Sequence, residues 1–152
     1  MREFILLQEK KERHREELTM ASLGVRVTFK EDIQKVWDVI TSVDKYKTWR
    51  SDLKEIEIID EEQYVETTED GYVTTYIVVR RAEGKRLELE VENETLSGRW
   101  VINLTESSEG TEFALQARMS ANKFYYQPYV RGYLKNQQLN YMTDLKKILT
   151  VI

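Results

Sequence analysis

From Leu53 to Ala121 the chain repeatedly alternates apolar and polar residues, and this feature restricts the fold more than any other. Glycines at turn positions separate the alternating segments: Gly71, Gly84 and Gly110. The pair Asp70-Gly71 is typical of a two-residue β-hairpin. Each segment has one apolar and one polar face, as in an antiparallel sheet that buries one side. The stretch therefore predicts six successive antiparallel strands.

A strand and two short helices precede these six strands, and one long helix follows them. Residues 25–30 alternate as a half-buried strand. Apolar residues then recur at the spacing of an amphipathic helix, and a second short helix covers about 42–49. The last segment, about 126–149, predicts a long helix whose first turn accepts Pro128. The helix-spaced apolar residues are Ile33, Val36, Trp37 and Ile40 in the first helix and Val130, Leu134, Tyr141, Leu145 and Ile148 in the last.

A sheet with one apolar face must be covered, and only the last helix is long enough to lie across it. We therefore predict an α+β fold in which a curved antiparallel sheet of about seven strands wraps round the long C-terminal helix. The two short helices after the first strand would close one end. Gly98 falls inside a predicted strand, where an isolated glycine indicates a β-bulge.

The amino-acid composition excludes several classes of functional site and partner. The 152 residues include no cysteine and one histidine, His14. Thiol chemistry is therefore excluded, and neither a zinc site nor a Ser-His-Asp triad is predicted. The net charge of -4 is spread over interleaved charges, so nucleic acid is not an expected partner. No apolar run approaches the ~20 residues that span a bilayer. We expect one cytoplasmic domain without an integral membrane segment, metal or cofactor.

Three local patterns resemble a known superfamily. Val36-Trp37 lies on the first helix, Tyr46 and Trp49 form a Tyr-x-x-Trp corner, and the next strand carries an isoleucine-rich stretch at 56–59. Together with the element order, these patterns resemble the helix-grip superfamily: START lipid-transfer domains, pollen-allergen-like proteins and the polyketide cyclase/dehydrase and lipid-transport family. The resemblance covers about residues 23–150. It is specific for fold and weak for function, because such a fold hosts unrelated activities.

The N-terminal segment lies outside this resemblance. Residues 4–22 predict a helix with a charged middle and apolar residues near its ends, Phe4, Leu7, Leu18 and Met20. A helix that is polar all round is typically solvated. We therefore divide the chain into an N-terminal helical extension, 1–22, and a helix-grip domain, 23–152. Self-association through the extension is left open.

The resemblance implies a cavity between the long helix and the sheet. By that resemblance Trp49 borders the cavity mouth, although a core position is equally compatible with it. Met119 continues the apolar face of its strand, and Tyr133 and Gln137 share a helix face one turn apart. Apolar walls with a few polar tips suit an apolar ligand that carries oxygen. The predicted ligand-binding residues are Trp49, Tyr76, Trp100, Met119, Tyr133 and Gln137.

Three functions remain open at this point. The first is binding or transport of a small hydrophobic molecule such as a lipid, polyketide, isoprenoid or aromatic compound. The second is an enzyme of the polyketide cyclase/dehydrase type, and the third is a protein-interaction domain with little cavity. No catalytic residue is predicted, because the strand arginines Arg80, Arg99 and Arg118 form no evident constellation. The acidic stretch 58–70 predicts a solvated hairpin.

Overall fold

The computed structural model describes residues 2–3, 5–8 and 20–151. Residues 2–3 and 5–8 are helical, and Leu7 is exposed. Phe4, His14 and Leu18 lie outside the described residues. The predicted extension of this helix to residue 22 is wrong, since Met20 begins a strand and pairs with Ser120. The division of the chain at residue 22 stays a prediction.

The order of helices and strands confirms the predicted α+β helix-grip fold. Seven antiparallel strands form one curved sheet in the order β1-β7-β6-β5-β4-β3-β2, and the long helix lies against its inner face. The elements are β1 Met20–Phe29, α1 Ile33–Thr41, a 3-10 helix Val43–Thr48, β2 Leu53–Ile58, β3 Gln63–Thr68, β4 Val73–Ala82, β5 Arg86–Glu92, β6 Leu96–Ser107, β7 Gly110–Ala121, a 3-10 turn Phe124–Tyr126 and α2 Gln127–Ile148.

Gly98 is not a bulge. The pairing of β6 with both neighbours runs through this residue without a shift in register, and the bulges lie at Leu53/Glu55 and Val78/Arg80 instead. A Cβ atom at position 98 would stand 1.9 Å from the carbonyl oxygen of Arg118. Glycine is therefore required there by the close approach of β7, not by an extra residue in the ladder.

Helix α1 packs as its sequence pattern predicts. The Asp32 side chain caps its N-terminus by accepting a hydrogen bond from the backbone N–H of Gln34 at 3.0 Å. Val36, Trp37 and Ile40 form its buried face. The 3-10 helix that follows brings the chain from the edge strand β1 towards the other edge, β2.

Helix α2 is attached to the rest of the fold through polar as well as apolar side chains. Gln138 donates to the carbonyl of Leu23 in β1 at 3.1 Å. The buried carboxylate of Asp144 accepts from the backbone N–H of Ser51 at 2.8 Å and from its hydroxyl at 2.9 Å. Most of the predicted apolar stripe is buried, but Ile148 is exposed, so the stripe ends one turn early.

Candidate functional site

A cluster of aromatic rings lies in the interior between α2 and the sheet. Tyr64 and Tyr76, neighbours on β3 and β4, stack with ring centroids 5.1 Å apart. Tyr141 of α2 meets the edge of Trp100 at 5.7 Å. The remaining interior cavity has a volume of about 20 Å³, which is room for roughly one water-sized group. Its walls combine these aromatic rings with apolar side chains and one ion pair.

That ion pair joins Arg50 to Glu66 beneath the rings. The guanidinium donates to both oxygens of Glu66, at 3.1 and 3.3 Å, and to both oxygens of Asp52, at 3.2 and 3.4 Å. The side chains of Arg50 and Glu66 are only 6% and 3% exposed, and that of Asp52 is 18% exposed. The Arg50 guanidinium also lies 5.3 Å from the centre of the Tyr141 ring. One buried cation is thus shared between two carboxylates.

Burial dominates the acid–base behaviour of this centre. It raises the pKa of Glu66 above its ordinary value of 4.5, and the neighbouring Arg50 only partly offsets the effect. Burial opposes the charge of Arg50, yet Glu66 and Asp52 hold the pKa of that guanidinium well above its usual range. The pKa of Tyr76 is also raised, first by burial and then by the charge of Glu66. At neutral pH the tyrosine is therefore a neutral hydroxyl.

A larger space lies outside this interior, between α2 and the hairpin that joins β3 to β4. It is a groove of about 600 Å³, within the range of small-molecule sites. Gly132 and the half-buried Tyr133 and Gln137 face it from the helix, and Tyr72 faces it from the hairpin. The Tyr72 and Tyr133 rings contact each other at 4.7 Å. Burial raises the pKa of Tyr133 to about 12.

One hydrogen bond lies at the boundary between the groove and the interior. The Gln137 amide, in the groove wall, donates to the hydroxyl of Tyr76 at 3.0 Å, and Tyr76 lines the interior cavity. A second bond near this boundary runs from Asn93 to the Tyr133 hydroxyl at 3.4 Å. This bond therefore links a residue of the groove wall to a residue of the cavity wall.

Two buried polar atoms near this boundary have no hydrogen-bond partner among the described residues. One is the side-chain oxygen of Gln137, whose nitrogen is bonded to Tyr76. The other is the indole nitrogen Nε1 of Trp100, whose ring meets that of Tyr76 edge-on at 6.4 Å. Buried polar groups in folded proteins are nearly always bonded, so both atoms require an explanation.

The structure divides the predicted ligand-binding residues into three groups. Tyr76 and Trp100 line the interior cavity, and Tyr133 and Gln137 line the groove. Trp49 is half-buried against Tyr46 and Tyr141. Met119 is fully buried beside Gly98, and neither it nor Trp49 is among the residues that line the two spaces. Ligand contact by these residues stays a prediction.

The polar interior was missed by the sequence reasoning. The hairpin at 58–70 was expected to be solvated, but Glu66 within it is buried. The available signal was strand parity: Glu66 stands two residues after Tyr64 and therefore on the same face of β3. Arg50 and Asp144 carried no comparable signal. The strand arginines Arg80, Arg99 and Arg118 are exposed.

The fold and its enclosed aromatic interior define a START-like helix-grip domain. The sequence model of the family described as polyketide cyclase/dehydrase and lipid transport matches residues 20–140. The chain belongs to this family. No functionally curated protein is significantly similar in sequence.

Solved structures share the fold at low sequence identity. A START superfamily protein from Mycobacterium smegmatis superposes with a TM-score of 0.68 at 13% identity, over 86% of this chain and 96% of that one. A conserved protein from Geobacillus kaustophilus gives 0.68 at 16% identity, over 84% and 93%. A protein from Mesorhizobium loti gives 0.68 at 16%, over 84% and 95%. Such identities establish the architecture and leave the ligand open. None of the helices in the described part of the chain is long and apolar enough to cross a membrane.

Proposed function

We propose that the protein binds a small, mostly apolar molecule that enters by the groove and reaches the aromatic interior. The observation that carries this proposal is the hydrogen bond between Gln137 and Tyr76, which separates a groove of about 600 Å³ from a cavity of about 20 Å³. A side-chain contact of this kind can open by rotamer changes without unfolding the sheet. Membership of a family that includes lipid transport agrees with a ligand of this kind.

The walls favour an apolar molecule with few oxygen atoms. Aromatic and aliphatic side chains make up most of the lining of the interior cavity, and one end of the Gln137 amide is free of protein partners among the described residues. Few, well-placed polar groups in an apolar site fix the orientation of a ligand. Lipids, isoprenoids, polyketides and other aromatic compounds all meet this description.

Gly132 provides a sharp test. It lines the groove, and a Cβ atom built there would meet no heavy atom within 4 Å. Gly132→Trp should therefore fill the groove without disturbing the fold, and Gly132→Ala is the matched control. The probe is N-phenyl-1-naphthylamine, whose fluorescence increases in apolar surroundings. We expect the alanine variant to bind it as the parent does and the tryptophan variant to bind it at least tenfold more weakly.

The outcomes separate the hypotheses clearly. If the parent does not bind the probe, the proposal fails and a protein-interaction domain becomes the better interpretation. Equal binding by the parent and Gly132→Trp would place the bound probe away from this groove. Circular dichroism of all three proteins checks that a loss of binding is not a loss of fold.

A second candidate function is an enzyme of the cyclase/dehydrase type, and the raised pKa of the buried Glu66 favours it. Carboxyl groups with raised pKa values can donate protons near neutral pH. Incubation with an aromatic β-polyketone, followed by chromatography, would detect loss of water or ring closure. Glu66→Gln should abolish such turnover while keeping probe binding; unchanged turnover would exclude this role for Glu66.

A further inference from the structure

Trp100 has a buried indole N–H without a hydrogen-bond partner among the described residues. Buried tryptophans usually bond this group, because its desolvation is otherwise uncompensated. The rings of Tyr76 and Tyr141 pack edge-to-face with Trp100, at centroid distances of 6.4 and 5.7 Å, and hold the indole in place.

The space beside this indole has the size of one oxygen-bearing group. Trp100 lines the interior cavity of about 20 Å³, large enough for one such group and too small for a ring. Arg50 also lines it, but four of the five N–H groups of its guanidinium donate to Glu66 and Asp52. Among the described residues that line this cavity, Trp100 is the one with a buried side-chain polar atom that has no hydrogen-bond partner.

The charges around the cavity restrict what that oxygen can be. One cation, Arg50, faces the two carboxylates of Glu66 and Asp52. An anionic ligand placed here would be repelled by the excess negative charge and would lose its hydration. A neutral acceptor, such as the carbonyl oxygen of a ketone, ester or lactone, avoids both penalties.

We propose that Trp100 Nε1 is the specificity-determining donor that binds a neutral carbonyl oxygen of the ligand in the interior cavity. The body of the ligand then lies between Tyr76 and Gln137, whose hydrogen bond opens to admit it, and extends into the groove. The free end of the Gln137 amide takes any second polar group. This inference rests on the proposed function and adds the class of ligand and the residue that selects it.

The test compares two ligands of similar shape. 2-Acetylnaphthalene carries a carbonyl oxygen, and 2-isopropylnaphthalene has a methyl group in its place. Both are titrated by calorimetry into the parent protein and into Trp100→Phe, which removes the donor and keeps an aromatic ring. We expect the substitution to weaken ketone binding five- to tenfold, as for one neutral hydrogen bond, and to change hydrocarbon binding by less than twofold.

A second measurement needs no variant. In the parent, the indole N–H proton resonance of Trp100 should move on addition of the ketone and stay in place with the hydrocarbon. 2-Naphthoate, an anion at neutral pH, should bind more weakly than the ketone.

Each alternative result has a distinct meaning. Trp100 does not select a carbonyl if Trp100→Phe weakens hydrocarbon and ketone binding equally, or if the indole N–H resonance does not move when the ketone is added. Either result would refute this inference and leave the proposed function intact. Tighter binding of naphthoate than of the ketone would overturn the neutral-oxygen assignment. Failure of both neutral ligands to bind the parent would remove the proposed function and this inference with it.

Discussion

Replacing Arg50 with methionine tests whether the buried ion pair is held as the distances indicate. The substitution keeps side-chain volume but leaves Glu66, 3% exposed, without the guanidinium that lies 3.1 and 3.3 Å from its oxygens. Removing one partner of a buried pair typically destabilises by about 3–5 kcal/mol, because the remaining charge is uncompensated. We expect that loss at pH 7 in urea unfolding followed by tryptophan fluorescence and circular dichroism.

The two carboxylates make the reverse substitution milder. In Glu66→Gln, Arg50 keeps Asp52, which is partly exposed to solvent, so we expect a cost of about 1–3 kcal/mol. The double variant Arg50→Met with Glu66→Gln carries no charge at either position and should lose less than the sum of the two single changes. A cost below about 1 kcal/mol for Arg50→Met, or additive costs in the double variant, would refute this account of the pair.

Three further changes give expected outcomes. Because burial raises the pKa of Glu66, the folded protein binds a proton at this carboxylate more readily than the unfolded chain does. The unfolding free energy of the parent, relative to that of Glu66→Gln, should therefore rise as the pH is lowered towards 4.5. Urea unfolding at a series of pH values measures this difference, and a flat or falling difference would contradict the prediction. Asp144→Ala should destabilise by about 2 kcal/mol and Ser51→Ala by about 1, since the latter keeps the backbone bond to Asp144; equal losses in urea unfolding would exclude that backbone contribution. Gly98→Ala should lower the melting temperature clearly because its Cβ would collide with β7, and an unchanged melting temperature would contradict the close approach.

The architecture could be predicted because it follows from short-range patterns. Alternation along each strand decides which side is buried, and the turns at Gly71, Gly84 and Gly110 have the positive φ angles that glycine favours. Helix α1 buries the three residues whose spacing indicated it, Val36, Trp37 and Ile40. None of these inferences depends on which strands are neighbours in the sheet.

The interior could not be predicted in the same way, because it depends on how far the sheet curves. Whether Tyr64, Tyr76 and Trp100 surround a large cavity or fill it is decided by the distance between β3–β6 and α2, which no local pattern records. Gly98 shows the same limit. Its sequence context predicts a bulge, but glycine is required at this position because the backbone of β7, about twenty positions away in the chain, lies too close for a Cβ atom.

The position of β1 in the sheet has a consequence for the order in which the chain can fold. Strands β2 to β6 each pair with the next strand in sequence, so the meander β2–β7 can assemble through short loops. Strand β1 instead pairs with the last strand, with Met20 opposite Ser120 and Phe29 opposite Thr111. Closing so long a loop is slow. During synthesis β1 therefore lacks its pairing strand until β7 has left the ribosome. In hydrogen-exchange measurements during refolding, the amides of the β1–β7 ladder should become protected last.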